Sequence, residues 1–290
     1  PARPCEGARD RAAAGAAAQL VRRYSSSDQA PQGVAGKVSL DVLDPGEAGY
    51  TMVTGAGSLI TINEMDRATR RRFTVCHEIG HLVLDLPSEH GHGPDWSYSK
   101  RSPNEVCCDV FAAELLLPVA FFTALARGMA PDFDAVDELR VKFFASREAT
   151  ASRLAATCRL ACAYVLSEGG KVRHMVRSPV LRDAHGWVSS GTSLPTGSVA
   201  AALRSGRGRS GSATYSGDAW FEGWQDVELS ESSIFIPEYD QTLTLLHCTD
   251  QDELDDLPRA RIPDREGNEE DDALLKPLDG YPGWSGSGRR

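Results

Sequence analysis

The sequence lacks any run of apolar residues long enough to span a bilayer, which takes about 20 residues, and this argues against a membrane protein. Residues 1–10 are charged and lack the apolar core of a signal peptide, so a cytoplasmic protein is expected. A disulfide framework is also missing. The seven cysteines are an odd number and include the adjacent pair Cys107-Cys108, so they read as thiols or ligands in a reducing compartment. A uniform charge is absent as well. The net charge of -10 conceals a basic middle: residues 140–210 carry twelve basic side chains against three acidic ones, while residues 250–290 carry twelve acidic against six basic. The basic section suits a polyanion, and a solvated face explains it equally simply.

At 290 residues the chain can bury a full core and, on size, form two domains. The residues that carry chemistry lie in the stretch 73–84, which contains His77-Glu78-Ile79-Gly80-His81. On a helix, positions i and i+4 share one face a turn apart, so His77 and His81 offer both imidazoles to one ion. Glu78 lies beside them, placed to take a proton from a metal-activated water whose pKa falls to about 7. Val75, Ile79, Leu82 and Val83 give this helix an apolar body, and Asn63-Glu64-Met65-Asp66 offers N-caps. A surface helix with two satisfied histidines is the bland alternative.

A catalytic zinc site needs a third protein ligand and keeps a fourth position for water. The metzincin spacing would place Gly at 84 and His at 87. The chain has Leu84 and Pro87, which excludes it. A carboxylate from the next helix remains, and the residues alone leave Glu105, Asp109 and Glu114 open. That helix starts near Ser102-Pro103, with proline suited to the first turn, and stops at Pro118.

The two blocks together, His77-Glu78-Ile79-Gly80-His81 and Glu105-x-x-Cys108-Asp109-x-Phe111-Ala112-Ala113-Glu114-Leu115-Leu116-Leu117-Pro118, resemble the ImmA/IrrE family of bacterial metallo-endopeptidases over roughly residues 10–160. The resemblance implies an α+β, zincin-like peptidase fold with Zn2+ held by His77, His81 and Glu105, and Glu78 as general base. It implies cleavage of a partner repressor, usually a helix-turn-helix protein, releasing stress or phage-defence genes. Cys108 matches a cysteine common in one branch and, three residues from Glu105, could approach the ion. Cys5, in Pro4-Cys5-Glu6-Gly7, loosely resembles a cysteine switch, in which a thiolate takes the water position.

Around this core, residues 9–26 read as a first helix, and 37–44, 50–54 and 58–63 as short strands, one of which could pair with substrate backbone. Residues 88–98 read as an exposed loop whose His90 and His92 are more simply solvated than ligating. Tyr98 and Arg101 are possible transition-state donors in the same region. Residues 134–144 and 145–154 are helical and similar to the helix-turn-helix-like segment that closes the peptidase domain in relatives. A helix that merely packs is the alternative. Residues 162–177 read as a β-hairpin and 205–212 as a flexible basic loop.

Trp220-Phe221-x-x-Trp224 beside that loop would suit base stacking on single-stranded DNA, although core aromatics are commoner. The expected division is 1–130 peptidase domain, 131–178 helix-turn-helix-like segment with the hairpin, 179–249 a smaller α+β domain similar to the sensor domains of IrrE-like proteases, and 250–290 an acidic disordered tail. The expected partners are a helix-turn-helix repressor as substrate and single-stranded DNA as activator, with no membrane. The rival class is a DNA-binding regulator with structural zinc and no proteolysis. Glu78 argues against it, because a structural site has no use for a general base.

Overall fold

The structure is a computed structural model that describes residues 37–44, 46–55, 57–87, 102–250 and 254. The expected helix at 9–26, Cys5, the 88–101 loop with His90, His92, Tyr98 and Arg101, and the acidic tail all lie outside the described residues apart from 250 and 254. The described residues divide into two compact units, one comprising those up to 118 with 143–146, the other most of the remainder.

In the first unit, β1 (Lys37–Asp41), β2 (Gly49–Thr54) and β3 (Gly57–Asn63) form a small mixed sheet in the order β1-β3-β2, with β1 parallel and β2 antiparallel to β3. The central strand is the buried one. Ile60 and Ile62 are fully enclosed, packed against Val75, Ile79 and Leu82 of α1 (Ala68–Leu84). The period-2 alternation of β3 thus meets the apolar stripe of the helix. The expected caps at 63–66 do not form. The N-cap of α1 is Arg67, which makes no side-chain cap bond. Asn63 instead closes the turn into the helix, accepting from the Met65 N–H at 3.1 Å and donating to the Glu47 carbonyl at 2.9 Å. The next helix, α2 (Pro103–Leu116), begins as its sequence indicates: the Ser102 hydroxyl accepts from the Asn104 N–H and Pro103 fills the first turn.

The second unit holds α3 (Val119–Ala126), most of α4 (Phe133–Phe143), α5 (Arg147–Thr157) and a five-stranded antiparallel sheet. Its strands are β4 (Cys162–Glu168), β5 (Lys171–Arg177), β6 (Ser210–Ser216), β7 (Glu228–Ile236) and β8 (Gln241–Cys248), in the order β5-β4-β8-β7-β6. Two short helices, α6 (Pro179–Asp183) and α7 (Val199–Arg204), are each capped by a serine hydroxyl, Ser178 and Ser198. The β4–β5 hairpin turns through Gly169 and Gly170, both at positive φ, as a tight hairpin turn requires.

Two expectations are corrected here, and two open alternatives resolve. The 162–177 hairpin belongs to the same sheet as β6, β7 and β8, because β4 pairs along its length with β8, so a boundary at 178 would cut a sheet in two. Residues 210–212 are not flexible loop but the start of β6, paired with β7. The rings of Trp220, Phe221 and Trp224 are 5%, 1% and 2% exposed in the core with Ala163, Val165 and Leu246, so the stacking reading loses its platform. The helix-turn-helix alternative resolves toward packing. α5 buries Thr150, Ala151, Arg153, Leu154, Ala155 and Ala156 and lies on β4, β5 and β8.

One carboxylate joins the layers of this unit. Glu231, fully buried on β7, accepts from the Val199 and Ala200 N–H groups at 3.2 and 2.7 Å, from Ser233 Oγ at 2.7 Å and from Trp220 Nε1 at 3.1 Å. Removing it orphans buried donors, which costs about 1–3 kcal/mol for each group left unsatisfied. Glu231→Ala is therefore expected to destabilise this unit by roughly 3 kcal/mol or more, seen as a lowered melting temperature in calorimetry, with the Trp220 and Trp224 fluorescence shifted to longer wavelength.

Candidate metal centre

The centre is made where α1 crosses α2. The crossing is close because position 80 is glycine. A Cβ there would lie 3.2 Å from Cys108 Cα, 3.3 Å from its Cβ and 3.3 Å from the Phe111 ring, tighter than ordinary packing. The small residue inside the motif thus lets α2 approach until Glu105, one turn before Cys108, reaches the two histidines.

His77, His81 and Glu105 are buried and offer three donor atoms that converge. His77 Nε2 lies 3.1 Å from His81 Nε2 and 3.0 Å from Glu105 Oε2, and His81 Nε2 is 3.4 Å from Glu105 Oε1. Bonds of about 2.0–2.2 Å to a tetrahedral ion would set neighbouring donors roughly 3.3–3.6 Å apart, slightly wider than two of these separations, so a small outward shift lets the three share one ion.

The other ring nitrogens decide the tautomers. His77 Nδ1 donates to Asp109 Oδ1 at 2.9 Å and His81 Nδ1 donates to the Leu86 carbonyl at 3.1 Å. A carbonyl can only accept, and a carboxylate at this position also accepts, so each Nδ1 carries its proton and each Nε2 presents a lone pair. Two lone pairs and a carboxylate facing one another repel unless a cation lies between them. The pocket favours a positive charge at this point: burial disfavours a charged His77, but its hydrogen bonds to the Asp109 and Glu105 carboxylates outweigh it and lift its pKa to about 9, so a proton and a metal ion compete for Nε2. The residues present fit a metal ion.

Each expected site residue now has a place. Glu105, left open among three acids by the residues themselves, is the one in the donor set. Asp109 stands one step behind, holding His77. Glu114, nine residues further along α2, is about 13 Å of helix away from Glu105 and outside the group. Cys108 is also outside it. Its thiol is fully enclosed in the α1–α2 contact, and burial, followed by the nearby Glu105 carboxylate, raises its pKa to about 12. The structure thus places Cys108 in the helix contact and not among the three converging donors. Glu78 is 1% exposed, and its Oε2 accepts from the Thr51 hydroxyl of β2 at 2.7 Å. Sequence reasoning missed Thr51. Its one signal was a hydroxyl facing inward in a strand just ahead of the motif helix.

A buried two-histidine, one-glutamate cluster on crossed helices beside a small mixed sheet, with an acid inside the first helix, is the arrangement of zincin-like peptidases. Residues 38–155 match the model of the peptidase M78 family, described as the IrrE N-terminal-like domain. No curated protein matches. Among solved structures, a Mycobacterium tuberculosis transcriptional regulator is similar at 11% identity and a TM-score of 0.47, over 80% of this chain and 88% of that one. No single helix among the described residues is long and apolar enough to cross a membrane.

Two substitutions test the centre. Glu105→Ala is expected to leave the purified protein without stoichiometric metal by elemental analysis. Asp109→Ala, which frees the His77 ring, is expected to weaken zinc binding about 10–100-fold in a chelator competition while the circular dichroism spectrum is kept.

Proposed function

We propose that the protein is a zinc-dependent endopeptidase whose substrate is a helix-turn-helix transcriptional repressor, so that cleavage derepresses stress or phage-defence genes. The observation that carries the reading is the pairing of a closed three-donor set with a buried carboxylate, Glu78, that belongs to no ligand role. Imidazole and carboxylate donors in a two-histidine, one-glutamate set suit zinc, which would supply a Lewis acid that acidifies water and polarises the scissile carbonyl.

The chain's own residues do the rest. His77, His81 and Glu105 hold the ion, with Asp109 and the Leu86 carbonyl fixing the two rings. The Glu78 carboxylate takes the proton of the attacking water and returns it to the leaving amine. Thr51 holds one of its oxygens, so the acid is aimed before substrate arrives. Among the described residues β2 is an edge strand that pairs only with β3, and its other side suits the backbone of an extended peptide.

Single-stranded DNA as an activator is part of the same proposal. Charge supports it, since Arg159, Lys171, Arg173, Arg207 and Arg209 are exposed on the second unit. Aromatic stacking does not contribute. Binding would then be salt-dependent and indifferent to sequence.

Glu78→Gln is the decisive variant. It is expected to keep zinc and fold but to lose repressor cleavage by at least about 10³-fold, the upper range for a positioned proton-transfer group, with cleavage read on a gel of the co-expressed repressor. Wild-type cleavage by this variant would overturn the peptidase mechanism and leave a regulator with a structural metal. For the nucleic acid, binding of a fluorescent single strand to the full chain at low salt, lost as salt rises, is the expected result.

A further inference from the structure

The two rims of the five-stranded sheet differ. β5 forms one rim and is covered. The 190–194 segment runs along its outer side: the Val172 N–H donates to the Thr192 carbonyl at 2.8 Å, the Gly191 N–H to the Val172 carbonyl at 2.8 Å and the Leu194 N–H to the Gly170 carbonyl at 2.9 Å, and Lys171 bridges to Ser193. Ser190 Oγ donates to the Arg173 carbonyl at 3.0 Å. The strand also carries Lys171, Arg173 and Arg177. Cover and charge of this kind keep an edge from pairing. β6 forms the other rim and has neither. Ser210-Gly211-Ser212-Ala213-Thr214-Tyr215-Ser216 contains no charge and no proline, is exposed at every residue except the half-buried Tyr215, and among the described residues pairs with β7 alone.

The pairing with β7 fixes which backbone groups this rim offers. At its two ends the Phe235 N–H donates to the Arg209 carbonyl at 2.8 Å and the Gly217 N–H to the Val227 carbonyl at 2.7 Å, and the register between them is unbroken. Bonded residues alternate along an antiparallel pair. Residues 209, 211, 213, 215 and 217 therefore turn their backbone toward β7. Ser210, Ser212, Thr214 and Ser216 turn theirs away, and no other described segment bonds these outward groups. Charge brackets the strand. Arg207 and Arg209 stand just before it, and Asp218 and Glu228 at its far end, all four exposed. Arg209 lies 3.5 Å from Glu238 of its own chain.

We propose that this rim is an interface with a second copy of the chain, the two β6 strands pairing antiparallel about a two-fold axis at Ala213. In that register Ser212 of one copy faces Thr214 of the other and Ser210 faces Ser216, so all four outward residues exchange their N–H and carbonyl bonds. Charge selects the orientation. Antiparallel pairing carries the Arg207 and Arg209 end of each strand to the Asp218 and Glu228 end of the other, twice over by symmetry, whereas parallel pairing would oppose like charges. Because β5 is covered, the pairing closes at two copies and does not propagate. Seven paired residues a side make a small interface, of the class that gives reversible, concentration-dependent association. Nothing in this inference depends on the peptidase reading.

Sedimentation velocity of the full-length protein over a concentration series is expected to show monomer passing to dimer and no larger species. Ser212→Pro removes an outward N–H and no bond to β7, a place where an edge strand accepts proline. It is expected to raise the dimer dissociation constant about tenfold or more, since the two-fold axis removes two bonds at once, with the melting temperature near that of the wild type. Asp218→Lys is expected to weaken the dimer as well, and Arg207→Asp added to it to restore association. Cysteines read the register. At position 213 the Cα atoms of the two copies are expected about 4.5 Å apart, within disulfide reach, and at position 214 about 8 Å apart, beyond it. Under mild oxidation Ala213→Cys is expected to give a dimer whose disulfide mass spectrometry maps to position 213, and Thr214→Cys no such link. A protein that stays monomeric at high concentration overturns the proposal, as does linkage through 214 without linkage through 213. A dimer left intact by a folded Ser212→Pro variant assigns association to another surface and overturns it equally. Should that variant unfold, the cysteine pair decides alone.

Discussion

The first unit depends on how near two helices can come. The motif helix supplies both imidazoles by local geometry alone, but the third donor must be delivered by another element, and its delivery is set by the contact of Gly80 with the backbone of Cys108. A side chain at either surface of that contact would push α2 outward and move Glu105 away from the ring nitrogens. The metal centre is therefore a consequence of packing as much as of ligand identity. The fully enclosed Cys108 is the measure of that packing.

Around that contact the polar groups are settled in pairs. Each histidine spends one nitrogen on an acceptor from a different part of the chain, Asp109 on α2 and Leu86 just past α1, and so has only the other to give. Glu78 in turn is held by Thr51, which lies on the neighbouring sheet. Three separate segments thereby fix the orientation of one helical turn. Groups buried in low dielectric are costly when unsatisfied, and this arrangement leaves the cost to be met by a cation.

What the sequence disclosed follows the range of the interactions. The motif helix, the three strands before it, Ser102-Pro103 as the start of α2 and the glycine hairpin at 169–170 were legible because each is encoded within a few residues. Glu105 was one of three acids until family resemblance chose it. Register on α2 says nothing of which turn faces α1, and the deciding residue, Gly80, lies on the other helix. Asp109 was visible as an acid but not as the partner of a ring nitrogen, and Thr51 was visible only as a strand hydroxyl, since its bond to Glu78 spans 27 residues. The hairpin was placed in the wrong domain for the same reason: its partner β8 lies some seventy residues further on. The aromatic trio left two readings open, core packing and base stacking, and its rings take the commoner one by closing the core under β4 and β8.

The strand order of the second unit has an outcome for how the chain acquires its shape. The strand that fills the middle of the sheet, β8, is the last of the five to be made, and it slots between β4 and β7. Until it emerges from the ribosome, the β4–β5 hairpin and the β6–β7 pair are two half-sheets, each with an unsatisfied edge and an uncovered apolar face. Such edges invite mispairing, and closing them requires a contact between distant parts of the chain, which slows folding. The first unit has no such wait, since its three strands and motif helix follow one another directly. Biosynthesis thus delivers a finished first sheet well before the second can close.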